Sequence, residues 1–165
     1  MSQDFHKILE ITMEQEALLR FPAFHNRDAL ALGNFLAERV HARGIELAIC
    51  IRKVNGNILF QYVTEGTCLN NQNWMNRKFH TVRLMERSSL GAWANSAILG
   101  EPVEAHGLSP QEYVFCGGGF PIRLTSGEMV GVITVSNLPH MEDHQFIVEA
   151  LTDWLKAKNV PSVLG

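Results

Sequence analysis

Cys116 heads the stretch whose residue types could do chemistry, because Gly117, Gly118, Gly119 and Phe120 follow it directly. Glycines leave bare backbone that a ligand, a neighbouring subunit or another part of the chain can approach closely. A thiolate beside backbone N–H groups and basic side chains can act as a nucleophile or a redox centre. The same residue can equally be a buried, inert apolar filler, since free cysteine is among the most buried residue types. A cysteine nucleophile also needs a base, and His106, His140 and His144 are the candidates. Asp143-His144 could form an acid–base or ligand pair, or could simply favour a helix start and be hydrogen-bonded. His140 and His144 stand four apart, a spacing that puts both on one helix face. Met141 occupies the position where the His-Glu-x-x-His pattern needs Glu, and a zinc site normally takes at least three protein ligands, so no metal is expected.

Arg77, Lys78 and Arg87, with Ser88 and Ser89, form a second group. Arginine offers a planar fork to a carboxylate or phosphate, and serine hydroxyls with free N–H groups at a helix start would add donors. A charged helix face with a cap, or salt bridges between subunits, accounts for the same residues. The glycine run is not a nucleotide signature: the Gly-x-Gly-x-x-Gly spacing is missing and no P-loop lysine follows. A bulge or tight strand entry explains it as well as ligand contact does.

The elements that must position these residues are legible from periodicity. Residues 3 to 20 read as a helix with Phe5, Ile8, Leu9, Thr12 and Met13 on one face. A second helix runs from about Arg27 to Arg43, with Asn26 as cap and Gly44 as terminator. Ile45, Leu47, Ile49 and Ile51 alternate with less apolar residues, as in a strand. Asn55-Gly56 is a hairpin signal, and Ile58 to Val63 returns beside that strand. Thr64 to Gln72 reads as a polar connection, and a third helix as about Asn73 to Arg87. A fourth follows at about Leu90 to Leu99, then a loop from Glu101 to Pro110 and a short strand near Tyr113 to Cys116. Pro121 suggests a strand start or an edge, Thr125-Ser126-Gly127 a reversal, and Met129 to Val135 a central strand. Pro139 opens a last helix, with Glu142 and Asp143 at its positive end. Trp74, Trp93 and Trp154 read first as core or subunit-interface residues. Hairpins with helices around them predict an α+β (α/β) domain, its antiparallel sheet of about five strands flanked by helices.

At 165 residues the chain is expected to fold as one domain, and its net charge of −3 gives no broad attraction to nucleic acid or to an anionic membrane. No apolar run approaches the roughly 20 residues that span a bilayer. Met-Ser-Gln-Asp-Phe-His-Lys carries no apolar core of a secretory signal, and the three cysteines are far apart with no Cys-x-x-Cys pair. A cytoplasmic location is the expectation.

Read in order, several local motifs resemble the haem-degrading-domain superfamily, in particular its branch of small uncharacterised proteins. They are Glu65-Gly66-Thr67 with Asn71 and Trp74, Arg77-Lys78, Arg87-Ser88-Ser89 and Gly117-Gly118-Gly119-Phe120-Pro121-Ile122. Val130-Gly131-Val132-Ile133-Thr134-Val135-Ser136, Leu138-Pro139 and Glu142-Asp143-His144 complete the set. The resemblance covers most of the chain, strongest from Gly66 to His144. It implies a profilin-like sheet flanked by helices across residues 1–165 and assembly into homo-oligomers. It also implies haem binding or breakdown in some members of the superfamily. Where the branch commonly has His before two glycines this chain has Cys116, so a role of that histidine would pass to a thiolate ligand or be absent. Glu65 and Asn70 replace the Pro and Asp often found at their positions.

The leading expectation is a homo-oligomeric domain that binds a small anionic ligand. Its pocket would use Arg77, Lys78, Arg87, Ser88 and Ser89, with Cys116, Gly117, Gly118 and Phe120 as a wall and Asp143 and His144 nearby. A haem-linked enzyme or sensor, with Cys116 as axial ligand and haem propionates as the anion, is a second reading. A structural or adaptor oligomer without a small-molecule ligand is a third.

Overall fold

A computed structural model describes residues 3–165, so the reading of Met1-Ser2 lies outside the described residues. In chain order the elements are α1 (Phe5–Leu18), β1 (Arg20–Phe21), α2 (Asn26–Arg43), β2 (Ala48–Lys53), β3 (Ile58–Val63) and α3 (Leu69–Met85). After these come α4 (Ser89–Leu99), a 3-10 turn (Val103–His106), β4 (Gly119–Leu124), β5 (Met129–Ser136) and α5 (His140–Leu155).

The sheet has five strands in the order β1-β4-β5-β2-β3. Three of its pairings are antiparallel, but β1 runs parallel to β4, so the sheet is mixed and not antiparallel throughout. The reason is the two-residue β1, which no alternation pattern could announce. Its two residues pair with Arg123 and Leu124. The segment from Tyr113 to Cys116 forms no strand, so the fifth strand is the one at Arg20. Pro121 pairs toward Val132 on the β5 side while β1 reaches only Arg123 and Leu124, which leaves the proline at an edge on its other side.

Strand alternation sorts residues between two layers. Leu47, Ile49 and Ile51 pack with Ile133 and Val135 against the stripes of α2 and α5, where Leu32, Leu36, Phe146 and Leu151 are fully enclosed. On the opposite face Ala48 and Cys50 meet Met75, and Val132 meets Phe79 and Val82, all three partners belonging to α3. A further cluster, Ile8 with Leu90 and Ala94, joins α1 to α4.

Several boundaries differ from the sequence reading for local reasons. α3 begins at Leu69, four residues before Asn73, because Asn71 Oδ1 accepts from the Cys68 N–H and caps a polar first turn. It ends at Met85, where Glu86 takes a left-handed φ of 54°. Asn26 is the first residue of α2 and not its cap; the preceding His25 N–H donates to the Asp28 carboxylate at 2.6 Å. On α1, Met13 is 61% exposed, and the buried stripe is Ile8, Thr12 and Gln15. Gly44 and Gly56 do take positive φ, as a helix end and a hairpin turn require.

Candidate functional site

A cavity of about 650 Å3 opens where β5 ends and two helices begin. The first turn of α3 supplies Asn71, and its next turns supply Trp74 and Lys78. Trp93 comes from α4, Cys116 from the segment before β4, and Ser136 from the end of β5. His140 and Asp143 come from the first turn of α5. Tryptophan walls and a polar floor make this the kind of concavity that takes a small organic molecule.

The floor is a buried ion pair. Lys78 Nζ lies 3.0 Å from Asp143 Oδ2 and donates to the Val135 carbonyl at 2.9 Å, and both charged side chains are 3% exposed. Burial pushes the Asp143 carboxyl up, while Lys78 and the Leu138 and Asn137 N–H groups pull it back toward the ionised form. A buried pair of this kind is costly to break by removing one partner, about 3–5 kcal/mol. Beside the N–H groups that donate to this carboxylate, Asn71 Nδ2 donates to Ser136 Oγ at 3.1 Å. The turn from β5 into α5 passes through Asn137 at φ 143°, a region that a side chain seldom adopts.

The glycine run lies behind this floor. Gly118 has φ 118°, and a Cβ there would sit 2.6 Å from Lys78 Nζ and 2.8 Å from the Val135 oxygen. A Cβ on Gly117 would fall on the His140 carbonyl, and one on Gly119 would meet Val82 and Ser89. The three glycines therefore let the chain cross close over the start of α5 and between α3 and α4. Gly117 N–H donates to His140 Nδ1 at 3.1 Å, and Gly119 N–H to Ser89 Oγ at 2.8 Å.

The residues singled out from sequence divide accordingly. Lys78, Cys116 and Asp143 line one cavity. Arg77 lines an adjoining hollow that shares Trp93 and Val114 with the cavity, its guanidinium 4.6 Å from the Trp74 ring and its Nε donating to the Pro110 carbonyl. Arg87 lies on a separate hollow between α1 and α4 that also includes Glu16 and Arg20. Ser88 caps α4 through the Gly91 N–H, and Ser89 is spent on Gly119. Phe120 is a core residue. His144 is fully enclosed, with Nε2 2.7 Å from Gln15 Oε1, and burial holds its imidazole down at about 3. His140, and not His144, thus shares the cavity with Cys116. The two histidines four apart use different partners, Gly117 and Gln15. Trp74 and Trp93, which read from sequence as core or subunit-interface residues, both line the cavity. A helical stripe does not distinguish a ring in the core from a ring facing a cavity.

This open mixed sheet, with one helical pair on one face and a cavity at the start of α3 and α5, defines the class. The family model described as haem degrading protein HbpS-like matches residues 24–152, and the chain belongs to that family. Its relatives include a UPF0303 protein of Yersinia enterocolitica, 34% identical over 143 residues that cover 86% of this chain and 84% of that protein. Among solved structures, the crystal structure of Ybr137w superposes with a TM-score of 0.83 at 28% identity, covering 90% of this chain and 88% of that one. A crystal structure of a PduOC–haem complex has the same fold, with TM-score 0.61, 16% identity and coverage of 85% and 98%.

The family name makes haem the group to test against the cavity. Its volume and paired tryptophan walls suit a flat ring system. Its candidate axial ligands do not suit iron. Burial pushes the Cys116 thiol up, away from the thiolate that a metal would need, with Asp143 adding to the shift and Lys78 opposing it. His140 has its Nδ1 lone pair occupied by an N–H donor. The residues present fit a flat organic molecule better than an axially ligated iron.

Proposed function

We propose that the chain is a single cytoplasmic domain of profilin-like architecture that assembles with copies of itself and binds a small, flat organic anion. The observation that carries this reading is the cavity walled by Trp74 and Trp93 over the polar floor of Lys78, Asp143, Asn71 and Ser136. Lys78 is already neutralised by Asp143, so the ligand's charge would be met elsewhere. Two sources support an anion. Helices α3 and α5 both begin at the cavity and present their positive ends to it. Arg77, stacked on Trp74 in the adjoining hollow, keeps guanidinium nitrogens beyond the one bonded to Pro110. The test is quenching of tryptophan fluorescence by a panel of aromatic carboxylic acids that includes metal-free protoporphyrin IX. Trp74→Ala and Arg77→Ala should weaken binding about tenfold or more, while Arg87→Ala, on the separate hollow, leaves it unchanged. Equal affinity in the Arg77 and Arg87 variants, or no binding by any acid, would remove this pocket from consideration.

Haem binding is the second reading, supported by the family description and by the haem complex of PduOC. It calls for an absorption band on adding haemin that moves on Cys116→Ser. An unmoved band, or none, leaves the iron without a thiolate role here.

A further inference from the structure

We infer that His140 is a tautomer-locked hydrogen-bond donor that reads an acceptor atom of the cavity's ligand and cannot serve as a metal ligand. Gly117 fixes the polarity of the ring. Its backbone N–H can only donate, and it points at His140 Nδ1 at 3.1 Å. That nitrogen must therefore present a lone pair, so in the neutral ring the single proton resides on Nε2. The ring cannot rotate freely out of this arrangement. Trp93 packs edge-on against it with centroids 4.7 Å apart, and the Gly117 backbone runs so close to α5 that a Cβ there would lie 2.1 Å from the His140 carbonyl oxygen. Metal-bound histidines have the opposite polarity, in which the non-ligating nitrogen donates to an acceptor and so frees the other's lone pair. Here that second-sphere position is filled by a donor. Nε2–H is left as the ring's one remaining polar group, on a residue that lines the cavity. It is suited to a carboxylate or carbonyl oxygen of a ligand. Burial and the nearby Lys78 charge also hold the imidazole below its usual range, which agrees with a neutral ring.

This assignment rests on the cavity being a ligand site, but its test does not need a ligand. The first measurement is the ring-nitrogen NMR spectrum of histidine-labelled protein at neutral pH, assigned by comparison with His140→Gln. The expected result is a neutral Nε2–H tautomer for His140. A neutral Nδ1–H tautomer, or a doubly protonated ring, would overturn the inference. The second measurement compares haemin with metal-free protoporphyrin IX. The expected result is that the iron brings no His140-dependent spectrum, whether or not either ring binds. A low-spin haemin spectrum that disappears in His140→Gln would overturn it. Failure of every acid to bind, with the expected tautomer intact, would instead count against the cavity's proposed role.

Discussion

Two titratable groups that meet at the last turn of α1, the half-buried Glu16 and the buried His144 against Gln15, respond to acid in opposite directions. Glu16 accepts from the Ser88 N–H at 3.1 Å, and burial pushes its carboxyl from 4.5 up to about 7, with the Ser88 hydrogen bonds and then the Arg123 and Arg87 charges opposing. The fold thus holds a proton on Glu16 that the unfolded chain releases, so this contribution to stability is lost as pH rises from 4.5 to 7. His144 works in the other direction. Its imidazole drops from 6.5 to about 3, so the unfolded chain takes the proton first and stability is lost as pH falls from 6.5 toward 3. Each contributes up to about 1.4 kcal/mol per pH unit inside its window. Asp143, raised by burial, adds to the Glu16 side, and His140, lowered by burial, adds to the His144 side. The opposing slopes should leave the protein nearly indifferent to pH where the windows overlap. Urea unfolding across that range should show Glu16→Gln losing stability toward acid and His144→Gln losing it toward neutrality. Two variants with the wild-type slope would show that these groups are not held as described.

At the scale of the element, the join between α4 and β4 depends on one hydroxyl. Ser89 Oγ accepts from the Gly119 N–H at 2.8 Å and lies 3.4 Å from the Gly119 carbonyl, all of it buried. Ser89→Ala would leave a buried N–H without its acceptor, at a cost of about 1–3 kcal/mol. Chemical denaturation would measure this, and a loss under a few tenths of a kcal/mol would mean that water replaces the hydroxyl. Local signals foretold the helices, the Asn55-Gly56 hairpin and the long β5 because each carries its own periodicity or turn chemistry. They could not foretell β1, whose two residues are a strand only because Arg123 and Leu124 lie alongside, about a hundred positions away. The start of α3 was hidden for a related reason. Asn70, Asn71 and Gln72 look like a loop until Asn71 is seen capping the helix. The site was legible to the same extent. The glycine run and the Lys78, Cys116 and Asp143 chemistry stood out by type. That Arg87 and Ser89 point elsewhere, and that His140 replaces His144 at the cavity, follow from the helix phases of α3, α4 and α5, which spacing alone does not fix.

Over the whole molecule, the sheet ends at β3, paired with β2 along one side. Ile58 and Val63 are each 47% exposed on that strand, and Leu69 just beyond it is 84% exposed. An apolar outer strand is a template for another strand. Self-assembly through this edge is the expected outcome for the homo-oligomer proposed above. Native mass spectrometry should find a defined oligomer, and Val63→Lys should shift it toward the monomer by setting a charge on the edge. A wild-type protein that is monomeric at every concentration would end the proposal, and an oligomer untouched by Val63→Lys would move the contact to another face.

The bond between Gln15 and His144 spans 129 positions, and Gln15 reaches further, donating to the Pro161 carbonyl at 2.8 Å. On a ribosome the first helix therefore emerges with its buried amide unmatched until the last helix has been made. Non-local contacts of this kind form late, and their unpaired partners wait in exposed intermediates. The two ends of the chain are thus joined last, and a polypeptide released before α5 has neither the partner for Gln15 nor the carboxylate that holds Lys78. The cavity therefore exists only once α5 has been made, because His140 and Asp143 of that helix are part of its wall.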